Sequence, residues 1–466
     1  MAEKTRFMVA GKEPTARPAA GGAARTALRL TRRTAMLAPL LALGGCGLWD
    51  DWFGEHKPPL PGKREPVMPV TNALEVTGAP IRPTLPPPVK NAAWPQAGGN
   101  PAHLMGHLAA APTLTEVWSA DIGQGGGYRQ KLLAQPVVAN GLVYTMDADG
   151  IVTAFRLSDG ARRWRTSSRP KHNENFNLGG GLGVAGGVLY ATNGLGFLSA
   201  MNAVTGALHW QQDLGAPTRS APTIADGRIF VTTIEDKLLA RAATDGRALW
   251  SYQASSTASS MLGRPAPAYA DGLVVAGFGS GELAVLRGDS GNAVWTDNLG
   301  AVDADSSLID FSSIRGMPVV SGNRIYAIGV GQLMVALDLH SGRHLWERSI
   351  AGEDTPWVAG DWVFVVTLGQ KIAALNGISG KVAWVTQLPH FINPKNEKNP
   401  ITWFGPLLAS DRLVVAGTDK NAIAVSPYTG AVLGRQKLSD PAAMGPVLAD
   451  GTLLLVTEDG RLRALR

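Results

Sequence analysis

The chain has a single cysteine, Cys46, in 466 residues, so it can form no intramolecular disulfide and no paired-thiolate metal site. Charge is also scarce: Asp, Glu, Lys and Arg make up 17% of the residues, with a formal net charge of +6. Residues 1–45 account for that excess, with eight basic side chains, among them Arg32 and Arg33, against Glu3 and Glu13. The remainder holds 35 basic and 35 acidic side chains, so no bulk field draws it to nucleic acid. No long hydrophobic run is present. The apolar stretch at 35–43 is too short to cross a bilayer and suits a signal h-region. The chain has no Gly-x-Ser-x-Gly elbow. Asp303, Asp305 and Asp310 share one segment without the Asp-x-Asp-x-Asp-Gly ladder of a calcium loop.

What is present begins with an export signal. Arg32-Arg33 ahead of the apolar stretch resembles a twin-arginine signal, although Ala35 stands where that signal has a large apolar residue, which leaves the export route open. Leu43-Gly44-Gly45-Cys46 then resembles a bacterial lipobox, in which small residues admit the peptidase and the thiol accepts the diacylglycerol. Gly47 replaces the aspartate that commonly retains lipoproteins at the inner membrane, which points to the outer one. Ten prolines lie between Pro58 and Pro88. Such a stretch builds no core and acts as an extended spacer of up to about 100 Å. The expected organisation is a signal peptide at 1–45, a lipidated cysteine and tether at 46–90, and a folded body at 91–466.

The body is repetitive. Residues 136–164 read as four short strands separated by Asn140-Gly141, Asp149-Gly150 and Asp159-Gly160, with apolar residues alternating at period two. A turn glycine recurs at Gly160, Gly206, Gly246, Gly291, Gly342, Gly380 and Gly430. Four residues after each of the first six stands Trp164, Trp210, Trp250, Trp295, Trp346 or Trp384, and Gly434 breaks the series. An alanine precedes each turn, at Ala154, Ala200, Ala240, Ala284, Ala336, Ala374, Ala424 and Ala464, which implies eight units. The last unit lacks a tryptophan strand, and residues 114–118, ending in Trp118, supply it. The expected fold is all-β: an eight-bladed propeller of four-stranded antiparallel blades, closed by both chain ends in one blade, with Trp118, Trp164, Trp210, Trp250, Trp295, Trp346 and Trp384 as blade-docking residues.

The Ala-x5-to-6-Gly-x3-Trp repeat, with Trp94-Pro95-Gln96-Ala97-Gly98-Gly99-Asn100 ahead of it, resembles the one shared by quinoprotein dehydrogenases and the BamB family of propeller lipoproteins. The first resemblance implies a quinone and Ca²⁺ over the hub, an Asp base and two adjacent cysteines, and that pair is absent here. The second implies a non-catalytic scaffold without cofactor or metal. Its partner would be the periplasmic domains of the outer-membrane barrel insertase, with unfolded outer membrane proteins as further clients, and a lipid anchor would hold it at the membrane. No nucleic-acid partner is expected.

Long insertions at 165–182, 251–264, 296–317 and 385–405 join each tryptophan strand to the next blade and should emerge on one face, where Phe391, Trp403 and Phe404 supply apolar anchors. The family resemblance assigns partner contact to the loops at 259–264 and 305–315, hence to Met261, Leu262, Arg264, Asp305, Asp310 and Arg315. The sequence departs from the family pattern at Leu262, which replaces an arginine, and at Ser312, which replaces an acid. The glycine runs at 123–127 and 179–181 read as flexible connections, because no helix follows to make them phosphate loops.

Overall fold

The computed structural model describes residues 73–76, 78–79, 81–127, 130–171, 175–255, 265–299 and 313–466. Its strands begin and end where the turn chemistry dictates. Asn140-Gly141, Asp226-Gly227, Asp271-Gly272 and Asp450-Gly451 have positive φ at both residues, the geometry whose twist suits a two-residue hairpin. Blade 1 consists of Val137–Ala139, Leu142–Met146, Ile151–Arg156 and Arg162–Ser167, ordered from hub to rim. Its innermost strand is wholly buried, while its outermost alternates between exposed and half-buried residues.

The same four-strand order recurs in blades beginning at Gly180, Thr223, Ala268, Val319, Trp357 and Trp403. Blade 8 joins Val447–Ala449, Thr452–Thr457 and Arg461–Leu465 to Glu116–Asp121 from the other end of the propeller, with Trp118 opposite Ala464. The molecule is thus the expected eight-bladed ring. A small extra hairpin, Phe391–Asn393 with Lys398–Pro400, lies between blades 6 and 7.

The repeat spacing has a physical origin that lies between blades. Gly160 accommodates Trp118, Gly206 accommodates Trp164, and so on to Gly430 with Trp384: a methyl on any of the seven would come within 2.6–2.8 Å of the preceding blade's indole. The indole then donates its N–H to a carbonyl just before that glycine. Trp118 bonds Leu157 O at 3.0 Å, Trp164 bonds Ala203 O at 3.0 Å, and Trp384 bonds Pro427 O at 2.8 Å. Trp250, Trp295 and Trp346 follow the same rule.

Within its own blade each indole stands opposite an alanine, as Trp164 does Ala154. Blade 4 departs from this, since Trp295 faces Val285 and the expected Ala284 lies one position off. In five blades the indole meets an aromatic of the second strand at a tilt, for example Phe364 with Trp384 at 6.2 Å between ring centres.

Gly434 breaks the series at the junction of blades 7 and 8, where the receiving turn would be the gap between the two chain ends. A side chain there would meet nothing within 4 Å, and its strand Val432–Lys437 is exposed throughout. The incoming chain holds this junction instead. Leu108 and Ala110 bond to blade 7 through Ser410, and the Arg412 guanidinium donates to the carbonyls of Ala111 and Pro112. Thr115 then exchanges backbone hydrogen bonds with Arg466.

Before reaching that junction the same segment crosses the hub and bonds to every blade but the seventh. Asn91 bonds blade 8, Trp94 blade 1, Pro95 blade 2, Gln96 blade 3, Pro101 blade 4, Ala102 blade 5 and Gly106 blade 6. Upstream of it, Leu74 packs among residues of blades 5 and 6, and Ile81 and Leu85 pack against blades 6 and 7. Residues from Leu74 onward, which composition alone assigns to the tether, therefore lie against the ring.

Docking of this kind makes the tryptophans unequal to any exposed aromatic. Trp384→Ala, at a site 7% exposed, should lower unfolding free energy by about 3–5 kcal/mol in chemical denaturation. Gly434→Ala, where space is open, should change it by less than about 0.5 kcal/mol. Equal effects would contradict the docking role.

Candidate functional site

Six of the eight inner strands are entered through a proline, Pro136, Pro222, Pro267, Pro318, Pro356 or Pro446, and Pro406 lies at the bulge inside the inner strand of blade 7. Proline has no N–H to leave unpaired, so it suits the start of a strand whose outer edge faces the hub. The residue before each proline lines a central cavity of about 260 Å³. The hub-crossing segment forms another part of its wall, with Trp94, Ala97, Gly98 and His103. This ring of X-Pro pairs was readable in the sequence as a marker of the hub, but the tryptophan repeat alone does not reveal it.

The polar side chains of the cavity are concentrated where blades 5, 6 and 7 are entered. Arg315 Nη1 lies 2.8 Å from Glu353 Oε2. The Met317 N–H donates to Thr355 Oγ1 at 3.1 Å, and the Gly405 N–H donates to Asp354 Oδ2 at 3.3 Å. The turn 353–355 therefore ties the entry of blade 6 to both of its neighbours. Burial, reinforced by the charge of Glu353, pushes the Asp354 carboxyl up to about 7, while the Gly405 N–H and Arg315 act in the opposite direction. Arg219 lines the opposite wall, and burial lowers its pKa. Trp94 and Trp357 stack with ring centres 6.2 Å apart, and Phe404 adds a third ring to the lining.

His103 and His107, four residues apart, are both buried and serve the fold. His103 donates from Nδ1 to Pro318 O at 2.7 Å, and burial depresses its pKa to about 4, so it stays neutral. His107 donates from Nδ1 to Pro86 O at 2.7 Å and accepts the Asp411 N–H at Nε2.

Of the residues to which the family resemblance assigns partner contact, Arg315 is placed at the hub cavity. Met261, Leu262, Arg264, Asp305 and Asp310 lie outside the described residues, as do Cys46, Arg32 and Arg33. Trp403, expected as a surface anchor, is 1% exposed and is a core residue of blade 7 with its N–H on Pro389 O. Phe404 faces the cavity, and Phe391 stacks on His390 at 4.4 Å. The glycine runs are also not loose connections: a methyl at Gly181 would come within 2.4 Å of Ala221, and one at Gly125 within 2.5 Å of Glu458 O. Close approach between blades explains them.

The sequence matches the profile of a family described as outer membrane protein assembly factor BamB over residues 148–386 and 388–466. A relative of that description from Yersinia pestis is 29% identical over 242 residues, which are 51% of this chain and 61% of the relative, less than two thirds of its length. Another from Salmonella typhimurium is 27% identical over 359 residues, 76% of this chain and 89% of the relative. Among solved structures, BamB from Moraxella catarrhalis superposes with a TM-score of 0.66 at 18% identity, covering 76% of this chain and all of that one. Quinohemoprotein alcohol dehydrogenase from Comamonas testosteroni gives 0.62 at 13% identity, covering 81% of each. At these identities the two structures establish a shared fold.

The Asp354 carboxyl gives the site a pH signature. In the unfolded chain it titrates near 3.8 and in the folded protein near 7, so the folded state binds the proton more tightly and stability is lost as pH rises through that window. Asp354→Asn should therefore raise the unfolding temperature at pH 8 and leave it nearly unchanged near pH 4. A variant no more stable than wild type at pH 8 would sink this assignment.

Proposed function

Since the chain belongs to the family of outer membrane protein assembly factors called BamB, we propose that it is a non-catalytic accessory of the β-barrel assembly machinery that docks on the periplasmic domains of the barrel insertase. The family match, which runs from blade 1 to the end of blade 8, is the observation that carries this reading. Acylation of Cys46 places the ring at the periplasmic face of the outer membrane, and the proline-rich stretch sets its reach. The loops at 259–264 and 305–315, with Met261, Leu262, Arg264, Asp305, Asp310 and Arg315, make the contact. Among the described residues, the outermost strand of each blade has one edge free of sheet partners. Such edges suit an extended client chain added as a fifth strand.

The alternative is a quinone-dependent dehydrogenase on the same fold. The hub residues do not fit that group: no cluster of three or more metal-ligating side chains occurs among the described residues, and the two cavity carboxyls come with the guanidinium groups of Arg219 and Arg315. The sequence also offers no cysteine beyond Cys46.

Affinity capture from detergent-solubilised envelopes separates the parts of this reading. Wild type should recover the barrel insertase, Leu262→Ala/Asp310→Ala should recover at least about tenfold less, and Cys46→Ala should lose membrane attachment while keeping the ring's own affinity. Titration of the pure chain with pyrroloquinoline quinone and Ca²⁺ should show no stoichiometric uptake. Tight uptake, or unchanged insertase recovery by the double variant, would count against the scaffold.

A further inference from the structure

We infer that the outer strand of blade 7, Val432–Lys437, is the edge of the ring that accepts an extended protein segment as a fifth strand, and that it selects a segment with an aromatic residue opposite Gly434 and acidic residues opposite Arg435 and Lys437. This deepens the scaffold reading and rests on it for the class of partner, an unfolded outer membrane protein. Among the described residues all eight blades have a free outer edge, but the eight edges are not alike. Seven belong to strands with half-buried or buried residues, because their indoles face the next blade. In Val432–Lys437 all six residues are exposed, so a partner strand meets an open edge and open faces at once.

The ring itself does not require a glycine at position 434. Its φ lies outside the left-handed region, a side chain there would meet nothing within 4 Å, and the same bulge carries a tryptophan in other blades, as at Trp164 opposite Ala154. Glycine weakens a strand, and inside one it marks the close approach of another backbone or a ligand. An aromatic on a neighbouring strand compensates for an edge glycine by lying over its bare backbone, and the space here is open to receive it. Arg435 and Lys437, two residues apart and so on one side of the strand, are exposed and make no ion pair among the described residues. Like charges keep this edge from pairing with a second copy of itself, while carboxylates two apart on an incoming strand meet both cations. Val432 and Leu433, 45% and 55% exposed, give the other end of the strand an apolar character. An anionic membrane would meet the same two cations but would use neither the glycine nor the free backbone edge.

The test uses the full chain and three fluorescent peptides. The first, Glu-Thr-Glu-Tyr-Val-Val, sets its acids opposite Lys437 and Arg435 and its tyrosine opposite Gly434 in antiparallel register; the second has alanine for the tyrosine, and the third has lysines for the glutamates. Fluorescence anisotropy should show the first binding about threefold more tightly than the second and at least about tenfold more tightly than the third. Hydrogen exchange should slow at Val432–Lys437 on binding and stay unchanged at the outer strands of the other blades. Arg435→Glu/Lys437→Glu, with unaltered thermal unfolding, should reverse the preference between the glutamate and lysine peptides, a reversal that a damaged edge would not produce. Gly434→Thr should remove the advantage of tyrosine over alanine. No binding, binding without protection of this strand, equal affinity for the glutamate and lysine peptides, or uptake of phosphatidylglycerol vesicles in place of the peptides overturns the edge. Insertase capture by the charge-reversed variant, unchanged from wild type, keeps that failure distinct from failure of the scaffold reading.

Discussion

An indole lying across a glycine turn, with its N–H on a carbonyl of the next blade, is the contact that recurs from sector to sector around this ring. It couples three requirements in one place: a bulky apolar plate, a turn without a side chain, and a carbonyl left free by that turn. Each blade alone is a small sheet with a buried face to cover, and only the next blade covers it. Stability is therefore a property of the closed circle, and the glycines are as necessary to it as the tryptophans.

The one junction without an indole shows the same constraint from the other side. Blade 8 takes its outer strand from residues far upstream, so the turn that would receive a tryptophan from blade 7 does not exist, and Gly434 stands where an indole would have had no seat. The chain's own entry path spans that seam through Leu108, Ala110 and the carbonyls held by Arg412. Because the same segment has already bonded to seven of the eight blades across the hub, closure of the ring and closure of the hub are one structural event. The cavity that remains is walled by this segment and by the residues that precede the hub prolines, and both of its carboxyls, with Arg315, gather near the entries of blades 5, 6 and 7.

Much of this architecture could be read from residue spacing. Positive-φ turn pairs, period-two alternation and the Gly-x3-Trp interval led to eight four-stranded units and to the pairing of the two chain ends. Spacing could not show that a glycine serves the tryptophan of the preceding blade, because the contact spans about forty residues of sequence and only folding brings it together. Burial of Trp403 was hidden for a similar reason: it opens the inner strand of blade 7, next to a hairpin insertion that resembles a surface loop. Asp354 carries no motif at all. Its character comes from being enclosed beside Glu353, and enclosure is a product of tertiary packing. The X-Pro steps, by contrast, were present in the sequence as a sign of the hub.

Site-resolved hydrogen exchange of the indole N–H groups tests the closed ring most directly. If docking couples the sectors, the N–H groups of Trp118, Trp164, Trp250, Trp295, Trp346 and Trp384 exchange together, at the rate of global unfolding. Indoles that exchange independently, blade by blade and at free energies well below that of the whole protein, would contradict a ring held by its junctions.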